Sequence, residues 1–137
     1  MTPHDQNVRT WSMLCHLSAL LGLFWLPGLV LGPLIVWQIK KNELPEIDPH
    51  GKEALNFQLT VVIIYFIARI ILLSMAGLAF GIGLFWGSPF AFLAGGFGLL
   101  SILGLIILIA IILAVVAGIK ANNGEPYKYP FSIKFVK

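Results

Sequence analysis

The chain has 137 residues and a formal net charge of +3; 58% of its residues are hydrophobic and 11% are charged. Soluble chains carry about 25% charged residues, and a soluble fold of this length could not hide so much apolar surface, so the composition indicates one integral membrane domain over residues 1–137. The nine basic residues form no dense block, which argues against a nucleic-acid partner, and the single Cys15 rules out an intrachain disulfide.

Residues 1–10, "MTPHDQNVRT", read as a polar, frayed lead-in. The first apolar block runs from Trp11 to Ile39. It is long for one membrane helix and short for two. Folding back at Pro27-Gly28 makes it a short hairpin over 11–40, with helices at about 7–26 and 28–41. Charge favours this reading. With the hairpin, Arg9, Lys40, Lys41, Lys52, Lys120, Lys128, Lys134 and Lys137 fall on one side, eight of the nine basic residues. The other side receives only "LPG" and an uncharged, glycine- and aromatic-rich loop over 80–98. The positive-inside bias then puts both termini and the 40–53 linker in the cytoplasm. The second limb, 28–41, reaches only about 20 Å and contains Pro33, so the hairpin either crosses a thinned bilayer or re-enters without crossing.

Asp48 and Pro49 suit a helix entry as cap and first helical residue. Two long transmembrane helices are expected, over about 53–79 and 98–121. "ANNGEP" stops the last one. In the tail, 122–137, Tyr127, Tyr129, Phe131, Ile133 and Phe135 alternate with polar residues and proline, which implies an extended amphipathic segment. It lies on the membrane, covers the helix ends or pairs with a partner. Trp11 and Trp37 fall near the charged side and Trp25 and Trp86 near the other, as interfacial belts require. The expected fold is therefore all-α and polytopic, with four helices.

Arg69 is a cation at bilayer depth, and no Asp or Glu lies in any apolar block. A charge there costs at least about 2.5–3.5 kcal/mol. Gln58, Tyr65 and Arg69 are spaced by seven and four, so they share one helical face and read as a polar stripe facing a groove. The competing reading is that Arg69 snorkels to the interface. His16, within "CHLSALLG", reads as a structural hydrogen-bonder across the bundle, with a proton relay as the alternative. Cys15, Ser18, Ala19 and Gly22, and likewise Ala110, Ala114 and Gly118, form small-residue faces for close helix packing. Glu53 and His50 read as interface anchors. No nucleophile, phosphate loop or ligand spacing accompanies them, so no catalytic residue, cofactor or metal site is expected.

"HLSALLG" (16–22), "GPLIVWQIKK" (32–41), "DPHGKEALNFQ" (48–58) and "KANNGEPYKYPFSIKFVK" (120–137) together resemble a family of uncharacterised small bacterial membrane proteins. That family is similar to the Tic-twenty component of the chloroplast inner-envelope protein translocon. The resemblance implies a four-helix protein of the bacterial inner (plasma) membrane with both termini cytoplasmic and a link to protein transport. It carries over no site residue. The expected function is a non-enzymatic structural or accessory subunit, with the lipid bilayer and a membrane-protein partner or second copy as its contacts. The alternative is a small oligomeric pore or transporter lined by Gln58, Tyr65 and Arg69.

Overall fold

The computed structural model describes the backbone of residues 1–86 and 90–137, and their side chains except at 84–86, 90–96 and 99. Among the described residues there are four α-helices: α1 (Pro3–Leu17), α2 (Gly28–Lys40), α3 (Asp48–Trp86) and α4 (Phe90–Asn122). A 3-10 stretch, Ser18–Leu23, continues α1, and a 3-10 turn, Pro45–Ile47, leads into α3.

The N-terminus is helical from Pro3 rather than frayed. Thr2 caps the backbone N–H of Asp5, the Asp5 carboxylate accepts from the Thr2 backbone in return, and Pro3 occupies the first turn, where it forfeits no bond. The hairpin fold-back lies between Leu23 and Gly28, as the charge pattern required. Its limbs meet backbone to backbone. A Cβ on Gly32 would stand 2.1 Å from the Ser18 carbonyl oxygen, and one on Gly28 would stand 2.6 Å from that of Leu21. The helix expected over 7–26 thus both begins and ends earlier, and its last part, Ser18–Leu23, tightens into 3-10 geometry where it crosses α2.

The 80–98 loop does not exist as expected. Helix α3 continues to Trp86 and α4 begins at Phe90; the connection at 87–89 lies outside the described residues. Residues 70–86 contain no proline, and the one hydroxyl that competes for backbone, that of Ser74, donates to the Ile70 carbonyl inside the helix at 2.8 Å. Glycines weaken a helix by about 1 kcal/mol each, which is less than interrupting the backbone ladder in apolar surroundings. At 39 and 33 residues the two helices reach about 58 and 50 Å, against about 20 Å for α2. Both are long and apolar enough to cross a membrane by length and composition.

The side chains pack mainly at the other end. One cluster joins Leu29, Phe57, Val61, Ala110, Ile111, Ala117 and Tyr129. A second joins Cys15, Trp37, Leu44, Ile47 and Leu55. The small-residue stripe of α4 is used within the chain: Ala110, Ala114, Ala117 and Ala121 are buried, and a Cβ on Gly118 would meet Leu17 of α1 at 2.9 Å. From Ile63 outward α3 and α4 expose apolar side chains, Ile70 by 65% and Leu100 by 74%.

The N-terminus, the linker and the tail share the packed end. His4 Nε2 lies 3.1 Å from Glu46 Oε1, and the Arg9 guanidinium lies beside Gly124. The stop of α4 is as its residues suggest. Gly124 is left-handed, at φ 80°, and Glu125 N–H and Gly124 N–H donate to the carbonyls of Lys120 and Ala121.

Candidate functional site at the charged end

Helix α3 enters through Asp48, which accepts from Trp37 Nε1 at 2.9 Å and pairs with Lys52 at 2.6 Å. Lys41 stands over the Trp37 ring at 4.7 Å and Lys40 over Trp11 at 4.9 Å. The Trp37–Asp48 bond holds α2 against the start of α3, and Lys40 over Trp11 ties the end of α2 to α1. The first turns of α3 then carry a polar face: His50, Glu53, Asn56 and Thr60. Each of these side chains is engaged with another part of the same chain.

His16, from α1, is fully buried and is the hub. Its Nδ1 lies 2.9 Å from the Tyr129 hydroxyl and its Nε2 lies 3.2 Å from His50 Nδ1. Its bonds to His50, two residues before Lys52, and to the tail put it level with the charged first turns of α3, ahead of that helix's exposed apolar stretch. Burial, and secondarily the neighbouring His50, lower its pKa to about 3. Burial lowers that of His50 as well. Both rings are therefore neutral at pH 7, and the hydrogen-bonded row runs Tyr129–His16–His50.

The tail is held along α3. Glu53 Oε1 accepts from Tyr129 N–H at 2.8 Å, and the Tyr129 ring stacks on Phe57 with centroids 4.0 Å apart. Asn56 makes three bonds: Nδ2 donates to the Val136 carbonyl at 2.9 Å, while Oδ1 accepts from Phe135 N–H at 2.9 Å and Val136 N–H at 2.7 Å. Thr60 Oγ1 accepts from Ile133 N–H at 3.0 Å. The tail therefore covers the helix ends, one of the three roles left open for it.

Of the four singled-out residues, only His16 joins this arrangement. Gln58 is fully buried, and neither its oxygen nor its nitrogen has a partner among the described residues; Ser12 Oγ is equally unpaired. Tyr65 is half-buried and Arg69 is exposed. The expected polar stripe is therefore corrected. Its members share a helical face but start in the core and end on the surface, because the α1–α2 hairpin covers only the first turns of α3. No single groove joins them. His50 and Glu53 do more than anchor the interface, and the roles of Asn56, Thr60 and Tyr129 were missed. A signal was present: Asn56 and Thr60 sit four apart in an apolar helix, opposite a tail of period two. Among the described residues no three His, Cys, Asp or Glu side chains converge as metal ligands. A polar cleft of about 460 Å³ opens between His4, Asp5, Arg9, Glu46 and Gly124.

A family model matches residues 7–136: that of the magnetosome magnetite crystal formation protein family. No curated protein and no solved structure matches the chain. The match overturns the expected translocon-like resemblance and the transport link that came with it. The stretches behind that resemblance form the hairpin crossing, the entry to α3 and the docked tail. Those are architectural needs of a small helical protein of this shape and do not point to a translocon.

Proposed function

Since the chain belongs to the magnetosome magnetite crystal formation protein family, we propose that it is a non-enzymatic accessory protein of the membrane in which such crystals form. In this reading α3 and α4 span the bilayer side by side, and the α1–α2 hairpin enters from the charged end without crossing. The termini and the 41–47 linker face the cytoplasm. The observation that carries it is a polarity of the whole molecule. Apolar side chains are exposed from Ile63 to Ile82 of α3 and from Phe97 to Ile112 of α4, whereas the N-terminus, linker and tail gather at the opposite end. Exposed apolar surface on this scale needs lipid or a partner, and the positive-inside bias sets its orientation. The accessory role is supported by how the polar side chains are spent: His16, Glu53, Asn56 and Thr60 all bind the chain itself, building a rigid charged platform.

Single cysteines at the exposed Asn42 and Glu125 test the orientation, with the buried Cys15 replaced by Ala. Both should resist an impermeant thiol reagent on intact cells and react after permeabilisation, while the protein stays in the membrane through alkaline extraction. Extraction at high pH, or labelling of either site on intact cells, refutes the placement. In a host that forms magnetite, removal of the chain should alter crystal size or number, and unchanged crystals refute the role.

A further inference from the structure

Beneath the tail, α3 and α4 part to leave a cleft of about 290 Å³, lined by Phe57, Thr60, Ile64, Ile109, Leu113 and Phe131 among others. Its one polar lining side chain is already engaged: the Thr60 hydroxyl donates to the Asn56 carbonyl at 2.7 Å and accepts from Ile133 N–H at 3.0 Å. The cleft is thus apolar in effect. It follows α3 from Phe57 to Ile64, about 10 Å, toward the exposed apolar belt, where Ile64 and Ile109 are half exposed.

The mouth of the cleft is built by an unusual backbone. Phe131 has φ 60°, the only positive φ at a non-glycine residue among those described. For a bulky side chain this conformation is strained. It is imposed from both sides, by Tyr129 N–H on Glu53 and Ile133 N–H on Thr60. The effect is to turn the phenyl ring outward, 89% exposed, at the rim of the cleft. Lys128 and Lys134 stand three residues to either side of it in the sequence and are both exposed. Against these two cations stands one carboxylate of α3, Glu53, whose Oε1 is turned to the tail backbone, so the rim is positive on balance.

We propose that this cleft holds one acyl chain of an anionic phospholipid, with the headgroup phosphate between Lys128 and Lys134 and the Phe131 ring inserted beside the chain at the acyl boundary. The proposal rests on the reading of α3 and α4 as bilayer spans. The charge complementarity selects this occupant. A second copy of the chain would bring lysines against lysines, and free phosphate would leave the apolar cleft unfilled. An aromatic ring flanked by cations is the arrangement that sits at a headgroup boundary.

The test uses the full chain reconstituted in bilayers of phosphatidylcholine alone and of an equimolar mixture with phosphatidylglycerol. Lipids retained after detergent extraction are counted by native mass spectrometry. Phosphatidylglycerol should be retained in preference, by roughly fivefold for each lysine and about 25-fold for the pair. The double variant Lys128→Ser/Lys134→Ser should lose the preference. Phe131→Gly, which suits the backbone, should retain less of either lipid. Equal retention of the two lipids, or a preference that survives the double lysine variant, overturns the proposal. A lipid-free dimer crosslinked through Phe131→Cys also overturns it, in favour of a second copy. Alkaline extraction of the same samples keeps the two readings apart: a chain that stays inserted but shows no headgroup preference refutes the lipid site alone.

Discussion

Asn56 offers the sharpest test of how the tail is held. It is 3% exposed and bonds three backbone groups of Phe135 and Val136 at 2.7 to 2.9 Å. Asn56→Leu keeps the volume and removes all three bonds. A net value of about 0.5–1.5 kcal/mol for each neutral hydrogen bond gives about 1.5–4.5 kcal/mol for the set. The loss falls on local opening of the tail rather than on the helices, because the freed backbone groups can reach water once the segment lifts. Amide exchange of residues 133–136 should therefore accelerate by about ten- to a thousandfold, at tenfold for every 1.4 kcal/mol. Exchange in α2 and α4 should be unchanged. Hydrogen–deuterium exchange in lipid bilayers reads both. Protection of 133–136 that is identical in parent and variant would refute the clamp.

Acid should loosen the same end. His16 titrates at about 3 in the fold against 6.5 in the open chain, and burial lowers the His50 pKa in the same direction. The unfolded chain thus binds more protons below pH 6.5, so stability is complete above that pH and falls below it, by up to about 1.4 kcal/mol per pH unit for one histidine. Thermal melts should show a smaller acid slope for His16→Gln than for the parent, and equal slopes count against a buried neutral imidazole. Gly32→Val drives a side chain into the Ser18 carbonyl, 2.1 Å from where its Cβ must stand; a loss of about 3 kcal/mol or more is expected from overpacking, and a fully stable variant refutes the close crossing. Gln58→Met removes two buried unpaired polar atoms and should raise detergent stability by about 1–3 kcal/mol; a drop would show that Gln58 has a partner. Arg69 is exposed, with no hydrogen bond or ion pair among the described residues, so Arg69→Leu should leave the unfolding free energy in detergent within about 0.5 kcal/mol of the parent, and a clear loss would restore the groove.

Charge placement alone pointed to the fold-back of the first apolar block. Eight basic residues can share one end only if 11–40 folds back, and Pro27-Gly28 is where the chain does so. The cap expected at Asp48 does not form: Asp48 is itself helical, at φ −55° and ψ −45°, and its carboxylate binds Trp37 and Lys52 instead. The stop of α4 was legible, because capping is a local matter of a few residues and Asn-Gly acts within one turn. Thr2-Pro3-His4-Asp5 carried the same kind of signal and was passed over because its surroundings are polar. The limit of α3 was not legible, since glycines that break a helix in water are carried through when nothing polar competes for the backbone. The candidate site was hidden for a different reason. His16 pairs with Tyr129 across 113 residues, and Asn56 pairs with Val136 across 80. No periodicity links such positions. Only the way the short α1–α2 hairpin covers the first turns of α3 brings them together, and that same packing buries Gln58 while leaving Arg69, three turns further along, in the open.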